Sequence, residues 1–394
     1  MKHLKTVFRT IFLLYATVMT GTEARAHKVF KAEYLDSVEV SLLTCQPHDE
    51  VYSLYGHTAL RWHDLHENGA DIAFNWGVFN FNAPHFVTRF VFGLTDYELG
   101  GFPYSVFQRE YQYYGSMVTE QVLDLTAGEK QAIYDALKEN LRPENRIYRY
   151  NFFYNNCTTQ ARNIVEHSVS GKVEYIEHKD YTPTYRQMVH DMTKEHPWTQ
   201  FGIDLLLGIK ADMKTDLRQQ EFLPNNLMHD FDHAQIYKDG KFRLLVKERR
   251  IAVPAGVQVK QEKFPLSPMA CGIILTIIGL AISFIERKKR VTFVTWEILL
   301  MIATGTIGVV LFIMLFSQHP TVSLNLQFIF FNPLPWFFLW PVFKKKATVY
   351  WTITPMLAVL FFAGGLFQSY AIGIQALALC LLLQSMLHYK RTKK

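Results

Sequence analysis

Hydrophobic patterning divides the chain near residue 266. Before that point apolar residues recur in short alternating or helical runs separated by polar turns. After it they fill five nearly continuous stretches, roughly 269–285, 292–316, 326–343, 347–367 and 371–387. Most of these approach the length a helix needs to cross a bilayer. The third is interrupted by Asn325, Gln327, Asn332, Pro333 and Pro335, which predicts a kinked or re-entrant segment. Glu297 is the one acid inside an expected span, either a functional group or a side chain reaching the interface two turns away.

The first regime predicts an α+β domain from about residue 27 to 266. The alternation that begins Val38-Glu39-Val40-Ser41-Leu42 predicts a strand ending at Cys45, and His57 to His63 a second one after the turn Tyr52–Gly56. Asp71 to Gly77 pairs with the second as a hairpin across His66–Ala70. Phe90 to Gly101 reads as loop or turn, and Tyr113 to Leu125 contains another strand. Thr126-Ala127-Gly128-Glu129 has the form of a capping box opening a helix over 130–141, which Arg142-Pro143-Glu144 ends. Arg146 to Phe153 alternates toward Cys157. The chain to about 240 reads as polar and irregular, and Phe242 to Val259 as strands leading to the linker Phe264–Pro268.

Residues 1–26 have the form of a secretory signal: Lys2, Lys5 and Arg9, then the apolar run Ile11 to Met19, then Ala24-Arg25-Ala26. A retained anchor is the alternative, and either one exports the α+β domain. The formal net charge of +6 invites a nucleic-acid partner, but its placement argues against one. Eleven basic residues lie in three clusters, Arg287–Arg290, Lys344–Lys346 and Lys390 to Lys394, and without these and the leader the exported part is acidic. With residues 27–266 outside, five spans place all three clusters on the inner side, as the positive-inside rule requires. This gives a transmembrane domain over 267–394 with a cytoplasmic C-terminus.

Of four cysteines, Cys271 and Cys380 lie in apolar segments and act as small hydrophobes. Cys45 and Cys157 are exported, and a disulfide between them is one reading. The other is set by Tyr154-Asn155-Asn156-Cys157-Thr158-Thr159-Gln160-Ala161-Arg162. Asn155 and Asn156 suit a helix cap, and Ala161, Ile164 and Val165 supply an apolar face. Cys157 then occupies a helix N-terminus, where the dipole and unpaired N–H groups stabilise a thiolate and a developing oxyanion. His57 opens the second strand and supplies a base. Asn75 or Asp71 can orient the imidazole; Asn75 fits better because it alternates away from Ile72 and Phe74. Tyr55 and Asn155 are candidates to assist the Cys157 N–H at an oxyanion. Arg61 and Trp62 read as solvent or rim residues of the strand, with Arg61 able to receive a phosphate or carboxylate. His48, His63 and His66 do not match a usual metal-ligand spacing.

The blocks Gly56-His57-Thr58-Ala59-Leu60-Arg61, Phe74-Asn75-Trp76-Gly77 and Tyr154–Thr159 resemble the Lnb-type exported domain, whose characterised members are lipoprotein N-acyltransferases. The likeness covers about residues 35–200, and the five-span tail fits the same arrangement. More distantly, the order His before Cys resembles the circularly permuted NlpC/P60-like papain fold, in which related enzymes move acyl chains through a cysteine thioester. The resemblance implies His57 and Cys157 as the catalytic pair and does not fix the third member, for which the residues favour Asn75; the residues themselves offer Tyr55, Arg61, Asn155 and Asn156 at the substrate. It implies a phospholipid acyl donor, a lipoprotein acceptor and no cofactor. It also implies a multi-pass protein of a Gram-negative inner membrane with a periplasmic catalytic domain.

The residues agree on one point. An enzyme passing an acyl chain between membrane-held partners must hold its thiolate at the bilayer, which a soluble peptidase need not do. Aromatic residues between Phe79 and Tyr114, including Phe86, Phe90, Phe92, Phe102, Phe107, Tyr111 and Tyr113, are candidates to guide the chain or ordinary core residues. The alternatives are a papain-like envelope amidase or peptidase, and a non-enzymatic membrane sensor or assembly factor.

Overall fold

The computed structural model describes residues 28–79, 84–175, 181–258, 260, 264–346 and 348–392; the expected leader lies outside them. Six strands arise in order: β1 (Val38–Cys45), β2 (His57–Asp64), β3 (Asp71–Val78), β4 (Asp96–Pro103), β5 (Val118–Leu123) and β6 (Ile147–Arg149). A small antiparallel sheet comes next, from β7 (Lys172–Glu174), β8 (Gln235–Lys238) and β9 (Lys241–Leu244), and β10 (Val246–Val253) returns to the main sheet. The main sheet is antiparallel, in the order β10-β5-β1-β2-β3-β4-β6. The α+β expectation holds.

The alternation of β1, β2 and β3 assigns their side chains to two covered faces. On one, Val40, Leu42, Leu60, Trp62, Phe74 and Trp76 meet helices through Ile133, Leu137, Ala161, Val165 and Phe231. On the other, Leu43, Cys45, Ala59 and Ala73 meet Tyr104, Phe107 and Tyr111 of the helix Tyr104–Tyr114. Arg61 and Trp62 are therefore buried, at 8% and 5% exposure, not rim residues. Centrality of β2 is the reason: at these positions one face is covered by the helices of the main core and the other by Tyr104.

Two other expectations are corrected. Residues 90–101 end a short helix, Phe86–Val91, and then build most of β4. Gly100 and Gly101 mimic a loop signal, but at Gly100 a Cβ would come within 2.6 Å of the Phe102 ring, which lies against the strand's backbone. The stretch read as irregular forms the helices Tyr185–Thr193, Pro197–Leu206, Leu217–Gln220 and Pro224–His233. Each is too short to show a helical period, though Thr184, Pro197, Asp216 and Pro224 are proper start signals. The Thr126–Glu129 capping box forms as expected and opens the helix Ala127–Asn140.

Past the linker, Pro268–Lys289, Val294–Met314 and Leu326–Phe343 are long and apolar enough to cross a membrane, and Tyr350–Gly364 and Ile374–Tyr389 are shorter apolar helices. The third is broken as expected: a 3₁₀ turn, Leu326–Ile329, precedes Pro333 and the helix Leu334–Phe343. Glu297 is buried and meets His388 Nε2 at 2.7 Å, with the imidazole stacked on Trp351.

The sheet domain is fixed to this bundle by direct hydrogen bonds. The N–H groups of Gly208 and Ile209 donate to the carbonyls of Thr321 and Leu324, both at 2.8 Å. In return Asn325 Nδ2 donates to Leu205 O at 2.8 Å, Gln327 Nε2 to Asp204 O at 3.0 Å and Gln368 Nε2 to Leu207 O at 3.1 Å. Beside them, Phe153, Tyr185, Leu207 and Phe222 pack with Met314 and Val322 of the bundle.

Candidate active site

Cys157 is the first residue of the helix Cys157–Ser168, and Asn156 is its cap. Asn156 Oδ1 accepts from the N–H groups of Thr158 and Thr159, both at 3.0 Å, and the Thr159 hydroxyl accepts from the Asn156 N–H at 2.9 Å. Asn156 Nδ2 donates to Phe152 O and Phe222 O. The Gln160 N–H goes to Asn156 O. Cys157 is thus the first-turn residue whose N–H has no acceptor among the described residues, at the positive end of the helix.

His57 begins β2, beside the start of the cysteine helix, and the hydroxyls of Thr58 and Thr158 meet there at 3.1 Å. Asn75 on β3 stands opposite Ala59, and its Oδ1 lies 2.6 Å from His57 Nε2. With Oδ1 accepting, Nε2 carries a proton and Nδ1 is the nitrogen left for Cys157. Burial pushes the Cys157 thiol up, but the charge of His57, its hydrogen bond, the Thr58 N–H and the Thr158 hydroxyl outweigh burial, so the thiol lies below its ordinary range. Burial works against a charged His57, yet the charge of Cys157, the hydrogen bonds to Cys157 and Asn75, and the charge of Glu110 hold the imidazole above its ordinary range. Both shifts favour a thiolate–imidazolium pair. All four cysteines are free, so Cys45 and Cys157 are not bridged.

Residues 27–191 match the Lnb N-terminal periplasmic domain, and residues 259–394 match the Lnb transmembrane domain. The chain belongs to the Lnb family. No curated protein and no solved structure gave a significant match. The two Lnb domains make it a lipoprotein-modifying membrane enzyme with a periplasmic N-terminal domain.

In this Lnb chain the other expected site residues are engaged to different degrees. Tyr55 packs edge-on against Phe152, 4.5 Å between centroids, at the margin of the cluster shared with the bundle. Asn155 accepts from Gln160 Nε2 and donates to Arg149 O, which fixes the loop before Cys157. Arg61 lies four residues along β2 from His57. Its Nε and Nη2 each donate to Asp71 at 2.7 Å, its Nη1 to Glu120 at 3.1 Å, and its guanidinium covers Tyr104. Those carboxylates already fill the role expected of a substrate anion. Phe107 and Tyr111 are core residues under the sheet, whereas Phe90 O lies 3.3 Å from His319 Nε2 in the bundle.

Sequence reasoning missed several neighbours of Cys157. Tyr97, Tyr148 and Tyr150 all lie within electrostatic reach of its sulfur, and Tyr97 and Tyr150 are stacked at 4.1 Å. The alternation Ile147-Tyr148-Arg149-Tyr150 was the one local signal, but only the pairing of β6 with β4 brings Tyr148 opposite Tyr97.

Proposed function

We propose that this Lnb enzyme is a lipoprotein N-acyltransferase that moves an acyl chain from a phospholipid to a lipoprotein's α-amine through a thioester on Cys157. One observation carries the reading: a Cys157–His57 pair at a helix N-terminus, in a domain fixed to an apolar helical bundle through the cluster that includes Phe153. Such a nucleophile is held at the membrane, where both substrates are anchored.

In the first half-reaction the Cys157 thiolate attacks the donor's ester carbonyl, and the oxyanion is met by the Cys157 N–H. The bond to the glycerol oxygen breaks, His57 Nδ1 protonates the leaving alkoxide, and a lysophospholipid departs. In the second, the acceptor's ammonium of the diacylated N-terminal cysteine sheds one proton to water, and the neutral amine attacks the thioester. His57 takes the second proton as the C–N bond forms and the C–S bond breaks, restoring the thiolate–imidazolium pair. Asn75 holds the imidazole with Nδ1 toward sulfur throughout. Amide formation from a thioester is downhill, so the steps require neither nucleotide nor metal. A cysteine on a helix N-terminus, a strand histidine and an asparagine on Nε2 also support the permuted papain-like reading.

The same proposal places residues 1–26 as a signal, residues 27–266 in the periplasm and residues 267–394 as five spans of the inner membrane, with the C-terminus cytoplasmic. Intact mass spectrometry of a reporter lipoprotein, from cells carrying wild type, Cys157→Ala or His57→Ala, tests the activity. One added acyl chain on the N-terminal amine with wild type alone is expected. An unmodified reporter in all three, with the protein expressed and inserted, would overturn the transferase and leave an envelope hydrolase.

A further inference from the structure

Beside His57 the loop 46–56 meets the helix Tyr104–Tyr114 through aromatic contacts. His48 and Tyr114 are stacked, 4.1 Å between centroids, and the Tyr114 hydroxyl lies 3.4 Å from that of Tyr52. Tyr111 of the same helix is buried with Cys45, the residue that faces His57 across β1 and β2. Glu110 is one turn before Tyr114, flanking the buried stripe of Phe107 and Tyr111. Its side chain is exposed, yet burial among its neighbours pushes its carboxyl above the ordinary range while the charge of His57 pulls it down. It lies within electrostatic reach of His57, Cys45 and Tyr52 and has no hydrogen-bond or ion-pair partner among the described residues.

Of the acids around this part of the sheet, Glu120 is engaged with Arg61 and Arg250, Glu39 with Arg250, Asp71 with Arg61 and Asp49 with His196, while Glu50 in the loop joins Glu110 in electrostatic reach of Tyr52. A carboxylate beside tyrosine rings and a reactive pair has the chemistry of a cation subsite, since the carboxylate gives charge-assisted hydrogen bonds and the Tyr114 face not covered by His48, with the Tyr52 ring, attracts the same charge. We propose that Glu110, with Tyr52 and Tyr114, holds an alkylammonium group next to His57. On the transferase reading, on which this rests, that group is the acceptor's α-ammonium before it loses its proton. Held there, the nitrogen enters beside the imidazole that takes the second proton from it. The headgroup of an ethanolamine phospholipid carries the same chemistry and is the other source.

The test separates binding from chemistry. Full-length Cys157→Ala protein in phosphatidylglycerol vesicles is titrated with a diacylated lipopeptide bearing a free or an N-acetylated α-amine. The free amine is expected to bind roughly tenfold more tightly. Glu110→Gln removes that difference without changing the binding of the acetylated peptide, which reports the fold, and Glu110→Asp retains it. No preference for the free amine, or a preference that survives Glu110→Gln, overturns the proposal. With Cys157 present, thioester formation is then compared for ethanolamine and glycerol headgroups. A Glu110→Gln defect confined to the ethanolamine donor overturns the assignment to the acceptor and gives the subsite to the donor. Failure to form a thioester from either donor when Glu110 is intact overturns the transferase reading, and the binding titrations judge Glu110 independently of it.

Discussion

Cys45 stands directly opposite His57 in the β1–β2 ladder, so His57 has one cysteine across the ladder and another, Cys157, at its ring. The two thiols differ sharply in environment. Cys45 is buried, and burial pushes it well above the ordinary thiol range; Cys157 is half-buried and lies below that range. At neutral pH, iodoacetamide is therefore expected to alkylate Cys157 and spare Cys45 until the protein is denatured. Because the lowered value depends on the imidazolium, His57→Ala moves the onset of Cys157 alkylation to higher pH. Peptide mass mapping across a pH series measures both, and equal reactivity of the two thiols would contradict the pairing.

Removing the hydrogen bond to Asn75 tests the orientation of the imidazole. Asn75→Ala is expected to lower acyl transfer by about 10²-fold through the rate at saturating substrate. Asn75→Asp, which still offers an acceptor to Nε2, retains more of it. Similar rates in the two variants would show that the 2.6 Å contact does not orient the base.

Gly77 lies on β3 at φ +125°, and a Cβ there would come within 3.6 Å of His57 Cε1. Few side chains tolerate that backbone, so Gly77→Ala is expected to destabilise the domain by about 1–3 kcal/mol. Denaturant unfolding reads the loss, and the alkylation profile of Cys157 shows whether the ring has also moved.

The cysteine helix is also anchored from behind. Arg162 donates to Glu221 at 2.7 Å, with the pair buried and Arg162 also reaching the carbonyl of Arg218. Arg162→Met leaves Glu221 without its counter-charge and is expected to cost about 3–5 kcal/mol. Adding Glu221→Gln should recover part of the loss, a non-additivity that a double-mutant cycle measures.

How much of the fold the sequence disclosed depends on the range of each signal. Strands β1, β2 and β3 were legible because alternation is local, and the Thr126 capping box and the Asn156 cap because both are encoded within four residues. The broken third apolar segment was legible through Asn332 and Pro333. Strand β4 was hidden because Gly100 answers to the Phe102 ring and not to a turn, and Arg61 was misplaced because strand order, which no local pattern states, puts β2 in the middle of the sheet. The site divides in the same way. His57, Asn75 and Cys157 carried local signals of cap and alternation, whereas Tyr97, Tyr148 and Glu110 reach it through pairings and packing distant in sequence.

The hydrogen bonds from Asn325, Gln327 and Gln368 to the carbonyls of Leu205, Asp204 and Leu207 mount the sheet domain on the bundle. A mount of this kind acts as a ruler. It sets the sulfur of Cys157 at one height relative to the bundle, so under the proposed transfer an ester or an amine would be reached according to how far its own anchor lets it rise from the lipid. On that proposal, reach would discriminate between substrates before any contact at the sulfur does.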